Sequence, residues 1–103
     1  MKILTDCFSG EVRLTNERLA HINEHPELFG MEAEIERVLL NPQLVRTSRS
    51  DESVRLFYGS YAETLVGSKW LCVVVKYVEA DAFVVTAYLT NKPKAGEDLW
   101  PKK

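Results

Sequence analysis

The strongest constraint in this chain of 103 residues is a change of hydrophobic period at Asn41-Pro42. Before that point apolar side chains recur at helical spacing; after it they alternate with the two-residue period of a strand. Proline locks its own φ and biases the preceding residue away from the α region, so a helix reaching Asn41 must stop there. The pattern predicts an α+β chain whose helices precede its main strands.

Ahead of the break, residues 3–8 read as a short first strand followed by a Ser9-Gly10 turn. Thr15 is a good N-cap for a helix running to about His25, with Pro26 ending it. The apolar stripe of that helix is thin, with Leu19 and Ile22 as anchors. Residues 31–41 predict a second helix, because Met31, Ile35, Val38 and Leu39 follow the i, i+4, i+7, i+8 pattern. Beyond the break, residues 44–49, 54–61, 70–78 and 82–90 read as strands joined by short polar connections. Such short connections imply antiparallel pairing. The expected fold is therefore a single domain over 1–103, with two N-terminal helices packed on one face of a four-stranded antiparallel β-meander. Residues 91–103 are read as a polar tail anchored by Trp100.

Alternation orients the strands. In the last strand Phe83, Val85, Ala87 and Leu89 are expected to face the helices, leaving Thr86, Tyr88 and Thr90 on the open face. Lys76 belongs with that second set, because burying an unpaired ammonium costs several kcal/mol. In residues 54–61 the expectation is that Val54, Leu56 and Tyr58 face inward and Arg55 joins Lys76 outside. A regular strand cannot show Arg55 and Tyr58 on the same face. Cations, hydroxyls and one aromatic ring on a sheet face suit a phosphate with an attached base, although strand propensity alone also enriches Thr and Tyr.

Charge limits how large such a site can be. The formal net charge is −2, which excludes coating nucleic acid by bulk electrostatics. Residues 1–41 carry eight acids and four bases, whereas residues 42–103 carry seven acids and nine bases, including Arg46, Arg49, Lys94 and the Lys102–Lys103 tail. Any nucleic-acid function would need a local basic site, and the asymmetry is suggestive of the second part, although an imbalance of this size is usually solvated surface. Cys7 and Cys72 allow one bridge and compel none. No apolar run approaches the ~18 residues of a membrane helix. Asp6 interrupts the one apolar stretch near Met1, so a signal peptide is not expected and the cytoplasm is the expected compartment.

His21 and His25 stand four residues apart on the first helix, hence on one side of it. Histidine titrates near neutrality and suits general acid–base work; a His-x-x-x-His metal site would need a third ligand that the sequence does not supply. A plain surface position for both is the third reading.

Arg13-Leu14-Thr15-Asn16-Glu17-Arg18, His21-Ile22 and His25-Pro26-Glu27 resemble the opening of phage-associated domains in the barnase–EndoU–colicin–RelE superfamily of ribonuclease-like folds. Leu40-Asn41-Pro42, Val73-Val74-Val75-Lys76 and Val85-Thr86-Ala87-Tyr88-Leu89-Thr90 continue the resemblance over about residues 12 to 100. It implies a RelE/barnase-like fold and a metal-independent, cofactor-free RNA endonuclease, in which the ribose 2′-hydroxyl attacks the adjacent phosphodiester. Carried over by motif, His21 or His25 would be acid or base, Lys76 would stabilise charge, Thr86 would hold the phosphate, and Tyr88 would orient a base or share the proton. Arg55, Thr90 and Arg46 would contact substrate. Such a chain would be a toxin or a phage or mobile-element effector, with RNA as its partner and a cognate inhibitor protein as a further one. The competing class is an inactive RNA- or protein-binding module of the same fold. For His21 to act, the sheet must curl so that its helix end borders the open face; otherwise His25 is the better-placed histidine.

Overall fold

The computed structural model describes residues 1–64 and 66–101, with the side chains of Ala62 and Glu63 outside the description. The Lys102–Lys103 pair therefore lies outside the described residues. The chain runs β1 (Lys2–Thr5), β2 (Glu11–Leu14), α1 (Asn16–Asn23), a 3-10 turn (Pro26–Leu28) and α2 (Glu32–Leu40). It continues through β3 (Leu44–Thr47), β4 (Val54–Thr64), β5 (Gly67–Val78), β6 (Asp81–Thr90) and β7 (Asp98–Trp100).

These strands form one sheet in the order β1-β2-β6-β5-β4-β3-β7. The expected four-stranded antiparallel meander is thus incorrect. The sheet has seven strands and is mixed, because β2 lies parallel to β6 with Arg13 opposite Phe83. A hairpin precedes the helices, so the layout expected of RelE- and barnase-like domains is not the one observed. β2 and β7 span four and three residues, too few to display a period, and each joins a strand far away in sequence.

Local chemistry explains the elements. Asp6, only 2 % exposed, turns the β1–β2 hairpin: its Oδ1 accepts the Phe8 and Gly10 N–H groups at 2.9 and 2.8 Å. Tyr77 on β5 donates its hydroxyl to Asp6 Oδ2 at 2.8 Å, which ties the hairpin to the sheet. Arg13 adds a two-point bridge to Asp81 at 2.9 and 2.6 Å. Thr15 caps α1 as its spacing predicts, accepting Arg18 N–H at 3.1 Å. α1 ends two residues short of His25, which instead precedes the 3-10 turn.

Both helices lie on one face of the sheet. Ile22, Ile35, Val38 and Leu39 pack there with Phe57, Leu71, Val73, Val75 and Val84. A Cβ at Gly59 would stand 2.8 Å from Val38 Cγ2, so the missing side chain is what lets α2 come so close to β4. No disulfide joins Cys7 and Cys72.

Two face assignments are corrected. Arg55 and Phe57 lie on the helix side, while Val54, Leu56 and Tyr58 lie opposite, so Arg55 does not share a face with Lys76. The reason is that the second face is not bare: Leu56, Tyr58 and Cys72 form a second small core there with Leu44, Val54, Trp70, Val74 and Tyr88. On the helix side Arg55 stacks on Phe8 and Tyr77 beyond the helices. In β6 a bulge at Val85 changes the pairing from Val74↔Thr86 to Val75↔Val84. Ala82 and Val84 therefore face the core in place of Phe83 and Val85.

Candidate functional site

The face opposite the helices is crossed by the β6–β7 connection. This strap is pinned at Lys94: its N–H donates to the Tyr58 hydroxyl at 3.0 Å and its carbonyl accepts from Arg46 Nη1 at 2.9 Å. Thr47 N–H donates to the Glu97 carbonyl at 2.9 Å. Gly96 sits against β3 so closely that a Cβ would fall 2.3 Å from the Thr47 carbonyl oxygen.

Between the strap, the β3–β4 loop and the sheet lies a groove of about 670 Å³. Ligand pockets run ~300–1,000 Å³, so it can hold a nucleotide-sized group. Val54, Leu56 and Val74 make an apolar floor; Ser48, Arg49, Ser50 and Asp51 form one wall; Thr86, Tyr88, Lys94 and Ala95 form the other. Lys94 Nζ stands 5.5 Å from the Tyr88 ring centroid, a cation–π contact.

The charges are ordered. Lys76 Nζ donates to Asp51 Oδ2 at 2.9 Å, and Ser53 donates to Oδ1 through its hydroxyl at 2.6 Å and its N–H at 2.9 Å. The Ser53 hydroxyl first, then the Lys76 ammonium, hold the Asp51 carboxyl down at about 2. Asp51 is thus neutralised by Lys76, whereas among the described residues neither Arg49 nor Lys94 is paired with an acid. The groove carries two cations in excess.

Beneath the strap Tyr58, Cys72 and Tyr88 stand side by side on three neighbouring strands. Burial pushes the Cys72 thiol up to about 11 and raises both tyrosines. The Tyr88 hydroxyl oxygen is buried and makes no hydrogen bond of normal geometry, with Cys72 and Tyr58 as its neighbours. Neither thiol nor phenol is thereby ionised near neutrality.

The structure brings Thr86 and Tyr88 into the groove and sets Lys76 behind its wall. Thr90 shares the face but lies off the groove, its Oγ1 donating to the Lys92 carbonyl at 3.1 Å. Arg46 shares the face too, and its Nε binds Asp98 Oδ1 at 2.7 Å, so it braces the strap. Arg55, His21 and His25 are elsewhere. The histidine side chains are 66 % and 61 % exposed on the helix side, beside Glu24 and Glu27, and neither lines the groove. Among the described residues no group of three or more His, Cys, Asp or Glu is placed to hold a metal ion.

Pattern does not mark Ser48, Arg49, Ser50, Asp51 and Lys94 as site residues. They sit in connections, where periodicity gives no direction; the excess of bases after residue 42 was the one signal pointing to them. Among the described residues no helix is long and apolar enough to cross a membrane. No protein family, curated protein or solved structure matches the chain.

Proposed function

We propose that the chain is an RNA-binding domain that takes single-stranded RNA into the strap groove and leaves it intact. One observation carries the reading: an apolar floor with an aromatic ring is rimmed by two cations, Arg49 and Lys94, that no acid among the described residues neutralises. A base fits the floor, its phosphate meets the cations, and Ser48, Ser50 and Thr86 offer hydroxyls to phosphate or ribose. The motif resemblance to ribonuclease-like domains points to the same polymer, and the cytoplasm is where such a domain would meet it. Binding is favoured over cleavage because His21 and His25 lie away from the groove, and the carboxylate at its wall, held at about 2, is a poor proton acceptor.

A second reading, metal-independent cleavage, is favoured by Arg49 and Lys94 lining the groove together with Thr86, with Lys76 behind its wall on Asp51. There the ribose 2′-oxygen bonds to phosphorus, the bond to the 5′-oxygen breaks, and a proton moves from the 2′-hydroxyl to the leaving oxygen. The cations would stabilise the phosphorane. Fluorescence anisotropy with a short single-stranded RNA in EDTA tests both. The expected result is binding by the natural chain and by His21→Ala/His25→Ala, a loss of about tenfold or more in Arg49→Ala/Lys94→Ala, and full-length RNA on a gel. Unchanged affinity in the Arg49/Lys94 variant refutes the groove. Fragments ending in a 2′,3′-cyclic phosphate replace the first reading with the second.

A further inference from the structure

Arg55 is the charged side chain that the groove leaves unexplained. It lies on the opposite face, where its guanidinium carbon stands 4.3 Å from the Tyr77 ring centroid and 4.9 Å from that of Phe8. Both rings are fixed from elsewhere: the Tyr77 hydroxyl is committed to Asp6, and Phe8 packs edge-on against Phe57 and Trp100. The guanidinium is therefore held in place rather than free to sweep solvent.

A guanidinium carries five N–H donors and no acceptor. Among the described residues no hydrogen bond or ion pair engages those of Arg55, although it is partly buried. Charged donors withdrawn from water ordinarily have partners. The Asp6 carboxylate already accepts two backbone N–H groups and the Tyr77 hydroxyl. Directly across from Arg55 on β3 stands Thr47, on the same face, and its hydroxyl is likewise without a hydrogen bond among the described residues. Side chains so paired have Cβ atoms ~4.5–5.5 Å apart. A fixed fork and a hydroxyl thus stand side by side with no acceptor between them. A ring-stacked arginine fork matches planar or tetrahedral oxyanions by two parallel hydrogen bonds. A carboxylate presents two oxygens; a free or terminal phosphate presents three or more and can serve the fork and the hydroxyl together, while a backbone diester, with two unesterified oxygens, serves the fork.

We propose that Arg55, held by Phe8 and Tyr77 with Thr47 beside it, is a phosphate-binding site separate from the groove. The phosphate can be a free or terminal one, or part of a nucleic-acid backbone; the chemistry of recognition is shared. Isotope-labelled full-length protein, titrated with inorganic phosphate and observed by NMR at the Arg55 Nε–H, tests it. A saturable shift is expected. Arg55→Lys, which keeps the charge and loses the fork, is followed at the backbone N–H of Thr47, its cross-strand neighbour, and should weaken binding about tenfold. Thr47→Val should weaken it about threefold and is the deciding variant if Arg55→Lys does not fold. Arg49→Ala/Lys94→Ala should leave it unchanged, so this site stands or falls apart from the groove. In that groove variant, a shift on adding short unphosphorylated RNA assigns a backbone phosphate as the source, and a shift with inorganic phosphate alone assigns a free one. Absence of a saturable shift, equal binding by both variants, or an equal response to acetate overturns the proposal.

Discussion

Gly96→Ala tests whether the strap is held by close approach to β3. An added Cβ would lie 2.3 Å from the Thr47 carbonyl oxygen and 3.5 Å from Arg46 Cβ. A backbone oxygen inside a sheet cannot rotate aside as a side chain can. The chain then has two responses. It can absorb the overlap, at the ~1–3 kcal/mol typical of overpacking. Or it can lift the strap, losing the Thr47–Glu97, Lys94–Tyr58 and Arg46–Lys94 hydrogen bonds. At ~0.5–1.5 kcal/mol each, that loss is about 1.5–4.5 kcal/mol. The cheaper response sets the cost, and alanine returns ~0.4–1 kcal/mol by restricting the unfolded chain. A net destabilisation of about 1–2 kcal/mol follows, and a domain of this size loses ~4–8 °C in Tm per kcal/mol, hence roughly 5–15 °C. Urea unfolding followed by tryptophan fluorescence measures it, since Trp100 and Trp70 report on β7 and on the face under the strap. Gly30→Ala is the control: Gly30 has φ +78° with nothing within 4 Å of a Cβ, so it should lose stability without touching RNA affinity. A Gly96→Ala protein as stable as the natural one would refute the close-approach argument.

Three further outcomes are expected. Asp51, held at about 2 against an ordinary 3.8, contributes stability that is present above about pH 4 and lost as pH falls toward 2. Asp51→Asn should flatten that part of a Tm-against-pH curve, and an unchanged acid limb would count against the pair with Ser53 and Lys76. Asp6→Ala should destabilise by about 3 kcal/mol in urea unfolding, because it strands two N–H groups and the buried end of Tyr77. In RNA titrations at several salt concentrations, Arg49→Ala/Lys94→Ala should reduce the log–log salt slope by about 1.4, the single-strand value for two phosphate contacts. An unaltered slope would place the phosphates elsewhere.

The elements most legible in the sequence were those fixed by near neighbours. Thr15 announces its helix through a side chain that reaches Arg18 N–H, and Pro42 closes α2 by sterics alone. What escaped depended on distant partners. β2 pairs with β1 in a local hairpin, but its place in the sheet, parallel to β6 at Arg13↔Phe83, is set by a strand seventy residues later. The β4 faces are the reverse of the expectation because Leu56 and Tyr58 find apolar cover on the face without helices, under a strap of weak pattern. The bulge at Val85 swaps faces midway along β6, which no strict two-residue period can express. For the groove, Thr86 and Tyr88 were visible as strand positions. Arg49 and Lys94 were not, because a loop residue takes its direction from the contacts of its backbone.

The distribution of strand lengths across the sheet also bears on how this chain resists self-association. Its longest strands, β4, β5 and β6, have neighbours on both sides, and the two outer positions are held by β1 and β7, of four and three residues. Of the segments with the strongest cross-β character, Trp70–Val75 is paired on both sides, by β4 and β6; Val84–Thr90 is paired by β5 on one side, while β2 meets β6 at Phe83, and the rows presented by the two outermost strands are short. Lys2, bonded to Glu32 and Glu36 at 3.1 Å each, places a charge on the first of those outer rows. For Trp70–Val75 the hazard of fibril formation is thereby moved from the native protein to its unfolded state, so any substitution that lowers stability raises the exposure of that segment.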